Sequence, residues 1–422
     1  MGLITAISIG VALLVLSIVA ISHGTRPTAK SPIRANGGPL TVFVGSLAYV
    51  IVLAPVITVH GLTLPTLVLF MVVVALPPII SATFLRARTH MGEEARNAFD
   101  IVSFIASFAL LVGILATAGS VLSLMGGVNR YLVIAVIGLS GAAYLLAHGR
   151  ASANRTSRWT LVMAFYIPIL LLAGGAVLGT PSSIVDPLVP STELGVGTVL
   201  AILLTVVAMG FVDPAIGQVL SAARIPNRTA LWGVVITAAF LAVFSLGLIL
   251  IYGGAFVSPS LQAFLLAAVP AVGIGFFLFF ATFVLASVAD TQLAAATHVG
   301  TRFSDPSKRQ ILTIVVVVVA ILVAMLLPAT GQIYIVAALI AAAAFGALLP
   351  TLRSSLPDLK PVPGIIVGGV GGVVVALIMG MASALSFESS TAVALIVAFL
   401  LAGTTSLVVS KRQAPVVVTA DQ

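Results

Sequence analysis

All but one of the 19 lysines and arginines fall in every second gap between long apolar runs, and this alternation constrains the chain more than any other feature. A helix that crosses a bilayer needs ~20 mostly apolar residues, and by that rule the sequence holds about thirteen spans. They centre near Leu14, Tyr49, Val73, Leu110, Ile137, Leu170, Val206, Phe240, Phe280, Val319, Leu339, Val374 and Val397. Arg26, Lys30 and Arg34 lie in the first gap, Arg86, Arg88 and Arg96 in the third, and Arg150, Arg155 and Arg158 in the fifth. Arg224 and Arg228, then Arg302, Lys308 and Arg309, then Arg353 and Lys360 continue the pattern, and Lys411 and Arg412 follow the last span. The other set of gaps holds only Arg130. A wrong span count would scramble this order. The positive-inside rule then predicts a multi-pass protein of the cell membrane, with its N-terminus outside and its C-terminus in the cytoplasm.

Composition agrees. Hydrophobic residues make up 60% and charged residues 7%, with mean hydropathy +1.27, whereas soluble domains carry about 25% charged residues. The pI near 10.3 reflects topology and anionic lipid, so membrane lipid is the expected partner of these cations and nucleic acid is not. Absence of cysteine excludes disulfides and thiolate chemistry. The first apolar segment lacks a positive n-region and is too long for a signal peptide, so it reads as an uncleaved first helix. His23, His60, His90, His148 and His298 fall near span ends or in gaps, none at metal-ligand spacing with another. No nucleophile–base pair, phosphate-binding loop or dinucleotide fingerprint is visible, so the chain does not read as an enzyme and implies no organic cofactor.

Two spans are interrupted. Span 2, GSLAYVIVLAPVITVHG, contains Pro55, which cannot donate to the carbonyl of Ile51. Span 7 contains GFVDPAIGQ, Gly210 to Gln218, where an aspartate and a proline sit between glycines. Asp is a preferred N-cap and Pro is favoured at the first helical position, so the sequence predicts a stop near Gly210 and a second half-helix from Pro214. Capping does not exclude a site, because an ionisable group at mid-membrane is a functional candidate by default. The interruptions are five spans apart and therefore opposite in orientation, as in transporters built from inverted repeats. The expected organisation is one domain, 1–422. Residues 40–180 and 194–349 form two five-span repeats, while 1–39 and 363–410 hold extra helices. Pro55, Gly210, Asp213, Pro214 and Gln218 are the candidate solute-binding residues. In span 9, Ser287, Asp290 and Thr291 share one helix face, either as a polar packing seam or as an ion site. Gly364, Gly368 and Gly372 form a GxxxGxxxG pattern that predicts close helix packing.

The stretches GFVDPAIGQVLSAARIPNRTALWG and FATFVLASVADTQLAAATHVGTRF resemble spans 7 and 9 of the sodium/solute symporter family, and YLLAHG (Tyr144–Gly149) is a weaker match. The order and spacing of spans agree along most of the chain. Span 9 and the region from Gly119 to Leu139 look most like the acetate and monocarboxylate permease branch. The resemblance implies a LeuT-like fold, all-α and polytopic, with broken helices 2 and 7 and alternating access around a mid-membrane site. It also implies a sodium ion between helices 2 and 9. Carried over, that ion would meet carbonyls at Ile51, Ala54 and Val284 and the hydroxyl of Ser287, with Asp290 a further ion-binding candidate. Many members carry a second hydroxyl where this chain has Val288, and an acid in span 6, where this chain reads LVMAFYIPI. Asp213 is also a departure, since the permease branch has an apolar residue there. These losses leave sodium and proton coupling both open. The expected function is a symporter of a small organic solute, a monocarboxylate among the options. The alternative is a non-transporting sensor or accessory subunit on the same fold. A homo-oligomer or an accessory subunit remains open as a partner.

Overall fold

The computed structural model describes residues 2–22, 38–52, 64–85, 91–148, 151–178, 194–255, 271–303, 308–326, 330–352, 360–379 and 389–412. Among these residues every regular element is helical. In chain order the helices are α1 Gly2–Ile21, α2 Pro39–Val52, α3 Leu64–Thr83, α4 Glu93–Gly126, α5 Arg130–His148, α6 Ala151–Leu178, α7 Val196–Val212, α8 Pro214–Ala222, α9 Pro226–Ala255, α10 Ala271–Gly300, α11 Arg309–Leu326, α12 Thr330–Leu348, α13 Pro361–Met379 and α14 Ser389–Arg412. Every predicted span centre falls on one of them, and α7 with α8 makes up the interrupted seventh span. Among the described residues, eight helices are long and apolar enough to cross a membrane, or nine if the bent α7–α8 pair is one span.

Lipid offers no partner for a bare N–H or C=O, so a chain this apolar satisfies its backbone within helices. The helices differ in how much of that apolar surface meets protein. The apolar stretch of α10 is 83% buried and that of α4 72%, against 28–33% for α1, α9, α11, α13 and α14. The first two form the centre of the bundle and the others its rim. On the rim, Leu14 and Ile18 of α1, Ile311 and Leu322 of α11, and Ile366 and Val370 of α13 face outward.

Apolar side chains gain little by choosing protein over lipid, so rim contacts depend on close packing of small residues. Gly364, Gly368 and Gly372 of α13 supply it as expected. A Cβ at any of them would overlap α14, at Ser406 and the Ala402 carbonyl, at the Ala398 carbonyl, or at the Ala398 side chain. Gly113 does the same inside the bundle, where its bare Cα leaves room for the Tyr334 ring of α12. Helix α4 ends at Gly127, whose left-handed φ of 66° lets its N–H turn back to the Ser123 carbonyl at 2.8 Å.

Candidate functional site

The seventh span is broken in the interior. α7 and α8 meet at a 49° bend. α7 continues to Val212, two residues past the expected stop at Gly210, and α8 starts at Pro214 as expected. The bend follows from local chemistry. Pro214 has no N–H, so the Gly210 carbonyl four residues earlier loses its helical donor. Ser81 Oγ of α3 replaces that donor at 2.8 Å. The substitution requires close approach, and Gly210 permits it: a Cβ there would stand 2.8 Å from Pro77 Cα.

Asp213 caps the second half. Its Oδ1 accepts from the Ala215 N–H at 2.7 Å and the Ile216 N–H at 3.3 Å, and its Oδ2 accepts from the Tyr49 hydroxyl of α2 at 2.9 Å. The residue is fully buried. A carboxylate at a helix N-terminus is favoured by the orphan N–H groups and by the helix dipole. Tyr49 thereby brings helix 2 to the break. Pro55 and Ala54, the proposed interruption and ion contact of helix 2, and the Ile51 side chain lie outside the described residues, and α2 is described to Val52. Phe211 anchors the end of α7, with its ring against Phe84 (5.4 Å), Phe99 (5.7 Å) and Phe345 (4.5 Å).

Below the break, α8 lines a cavity of about 500 Å³. Pro214, Gly217, Gln218 and Ser221 form its α8 wall, and Arg96, Asp100 and Ser103 of α4 face them. Arg302, just past α10, closes one side by binding both carboxylate oxygens of Asp100 at 2.7 Å. Gln218 Oε1 and Ser103 Oγ are buried with no hydrogen-bond partner among the described residues. Arg96 adds a second cation beside the paired Arg302, so the wall carries a net positive charge.

The span-9 residues of α10 separate into two environments. The fully buried Ser287 hydroxyl meets Thr160 Oγ1 of α6 at 2.6 Å and donates to Thr156 Oγ1 at 3.4 Å. Val284 and Val288 lie beside it, both buried. Thr291 Oγ1 donates to the Ser287 carbonyl at 2.9 Å. Asp290 sits instead against α5, its Oδ1 3.9 Å from where a Cβ on Gly141 would lie. Ser287 and Asp290 share a helix face as predicted, but they serve different neighbours.

Four partners escaped sequence reasoning. Tyr49 and Ser81 have no local signal, because each acts on a residue more than a hundred positions away. Thr156 and Thr160 did have one, a hydroxyl pair at i and i+4. A search of span 6 for an acid passes over them, since they lie just before LVMAFYIPI.

No protein-family model matches the chain, and no curated protein matches it at a significant level. Solved structures do match. A Na+-coupled sialic acid symporter in a substrate-bound outward-open state superposes with TM-score 0.70, at 13% identity over 98% of both chains. A mutant manganese transporter of Eremococcus coleocola gives TM-score 0.51, at 15% identity over 92% of this chain and 97% of that one. Identities this low speak to architecture alone, and the architecture is that of an all-α, multi-pass membrane protein with the LeuT-like fold.

Proposed function

We propose that the chain is a secondary active transporter of a small organic solute, working by alternating access and coupled to Na+ or H+. The observation that carries this reading is the helix break at Asp213–Pro214. It is built into the bundle centre, held open by Tyr49 and Ser81, and continuous with a cavity of about 500 Å³. A half-helix terminus at mid-membrane is where transporters of this architecture form their sites. The neighbours in structure are themselves transporters, one described as a Na+-coupled symporter, which supports the class. The solute contacts proposed are Pro214 and Gln218 on the cavity wall, together with Pro55, while Asp213 and Gly210, whose carbonyl is held by Ser81, act by shaping the break. The excess positive charge of Arg96 and Arg302 at the cavity favours an anionic solute, so a monocarboxylate is the proposed class. The proposed sodium residues are Ile51, Ala54, Val284 and Ser287, and the hydroxyls of Thr156 and Thr160 already meet Ser287, whereas Asp290, a further ion-binding candidate, faces α5 instead. We place the cavity on the cytoplasmic side, from the basic residues around it.

Purified protein in proteoliposomes tests the reading with radiolabelled pyruvate. Uptake and pyruvate–pyruvate counterflow above protein-free vesicles are expected, with accumulation driven by an imposed Na+ or pH gradient. Pyruvate binding without counterflow would replace this reading with the sensor alternative.

A further inference from the structure

We propose that Asp290 binds and releases the coupling proton of this transporter, in a site formed by α1, α5 and α10 that is separate from the Asp213 break. The proposal rests on the transport reading above and specifies its ion. Asp290 is 1% exposed, and neither carboxylate oxygen has a hydrogen-bond partner among the described residues. No ion pair joins it to a described cation. A carboxyl group retained without a partner inside a membrane bundle is a costly feature, and such residues mark ion and proton paths.

The described surroundings give Asp290 no hydrogen-bond donor. Asp290 lies against Gly141 of α5, and Leu293 Cδ2 approaches the same glycine. Tyr144 lies one turn beyond Gly141, on the same face of α5. The hydroxyl hydrogens in this neighbourhood are committed to carbonyls. Tyr144 donates to the Leu13 carbonyl at 2.9 Å, and Ser17 of α1 shares its hydrogen between that carbonyl at 2.6 Å and Tyr144 Oη at 2.8 Å. Ser140 donates to the Ile137 carbonyl at 2.8 Å, and Thr291 to the Ser287 carbonyl at 2.9 Å. An ionised carboxylate asks for donors, and no described group gives it one. A neutral carboxyl group asks for only one acceptor, and Tyr144 shares the α5 face that Gly141 presents to Asp290. Loading and unloading a proton therefore changes what Asp290 can bond to, and with it the fit between α10 and α5.

Among the described side chains, the other titratable groups on elements packed against α10 are occupied or remote. Tyr49 of α2 is bonded to Asp213. Asp100 of α4 is paired with Arg302. Glu93, Glu94 and Arg96 lie in the first turn of α4, and Arg309 opens α11. Arg130 and Tyr131 stand at the far end of α5, and Arg158 and Tyr166 of α6 are partly or fully exposed. His298 is two turns further along α10 itself. Asp290 is ten residues before the end of α10, ~15 Å along a helix, on the half that the basic residues assign to the cytoplasm. A proton released there leaves toward that side.

The natural absence of cysteine supplies a test that needs no solute. Ser221→Cys places a reporter thiol on the α8 wall of the cavity, and maleimide labelling in proteoliposomes follows its exposure. With Asp290 present, the labelling rate should change several-fold with pH beyond the thiol's own ionisation. In the Asp290→Asn protein carrying the same reporter, that dependence should vanish. Asp290→Glu should restore it. Infrared titration should show a protonated-carboxyl band that disappears as pH rises, is missing from Asp290→Asn, and moves in Tyr144→Phe. Should Asp290→Asn not fold, the Tyr144→Phe band shift carries the test. An unchanged pH dependence in Asp290→Asn, or a band that never titrates, overturns the proposal. So does labelling that responds to Na+ at fixed pH and loses that response in Asp290→Asn. Failed pyruvate counterflow would remove the proposed solute and leave these readouts standing, which keeps the two failures apart.

Discussion

The carboxylate of Asp213 is spent inside the protein. Two backbone N–H groups and the Tyr49 hydroxyl donate to it, it is fully buried, and it does not line the cavity. Asn caps a helix about as well as Asp. Asp213→Asn is therefore expected to melt near the parent temperature in detergent and to keep the parent's pH profile of pyruvate counterflow. A folded Asp213→Asn protein with counterflow lost would return the charge of Asp213 to the mechanism, as a purely sequence-based reading favours. Asp213→Ala should behave differently. Losing the cap costs ~1 kcal/mol, and each buried donor left without an acceptor costs a further ~1–3 kcal/mol, so a marked drop in melting temperature is expected. Ser81→Ala tests the other support of the break. It leaves the Gly210 carbonyl without its donor, at ~1–3 kcal/mol, while Ser81→Thr should retain the bond and most of the stability.

At the scale of elements, contact is set by backbone approach more than by side-chain bulk. α13 lies on α14 through Gly364, Gly368 and Gly372, where any side chain would enter the partner's backbone or side chains. Overpacking of this kind typically costs ~1–3 kcal/mol, and a rigid carbonyl on the far side gives little relief. Gly368→Leu is expected to lower the melting temperature clearly. Gly10→Leu is the control, because nothing lies within 4 Å of a Cβ at that position in α1. Equal melting temperatures for the two variants would show that the α13–α14 contact contributes nothing measurable. The α7–α8 break depends on the same currency. Gly210 admits Pro77 to van der Waals range, and only then can Ser81 reach the freed carbonyl.

For the whole molecule, the alternation of basic residues predicts that the segments bearing Arg155, Arg228 and Lys308 face the cytoplasm. Single cysteines placed there should react with an impermeant maleimide only after cells are permeabilised. Labelling of all three from outside intact cells would invert the topology and put the α8 cavity on the outer face. Much of this architecture was legible in the sequence, because the information is local. An apolar run of ~20 residues becomes a helix in lipid wherever its neighbours lie, and an Asp-Pro pair starts a helix by capping chemistry confined to four residues. The small-residue stripe of α13 was legible for the same reason. What the sequence could not contain is which polar group meets which. Tyr49 and Asp213 are 164 residues apart, Ser81 and Gly210 129, and Thr160 and Ser287 127. In lipid one apolar face is nearly equivalent to another, so hydropathy carries no instruction about partners. Local capping gave Asp213 two of its donors and packing added Tyr49, whereas Asp290 lies inside a helix, where the N–H groups are already used, and finds a donor only if another element delivers one, which none among the described residues does.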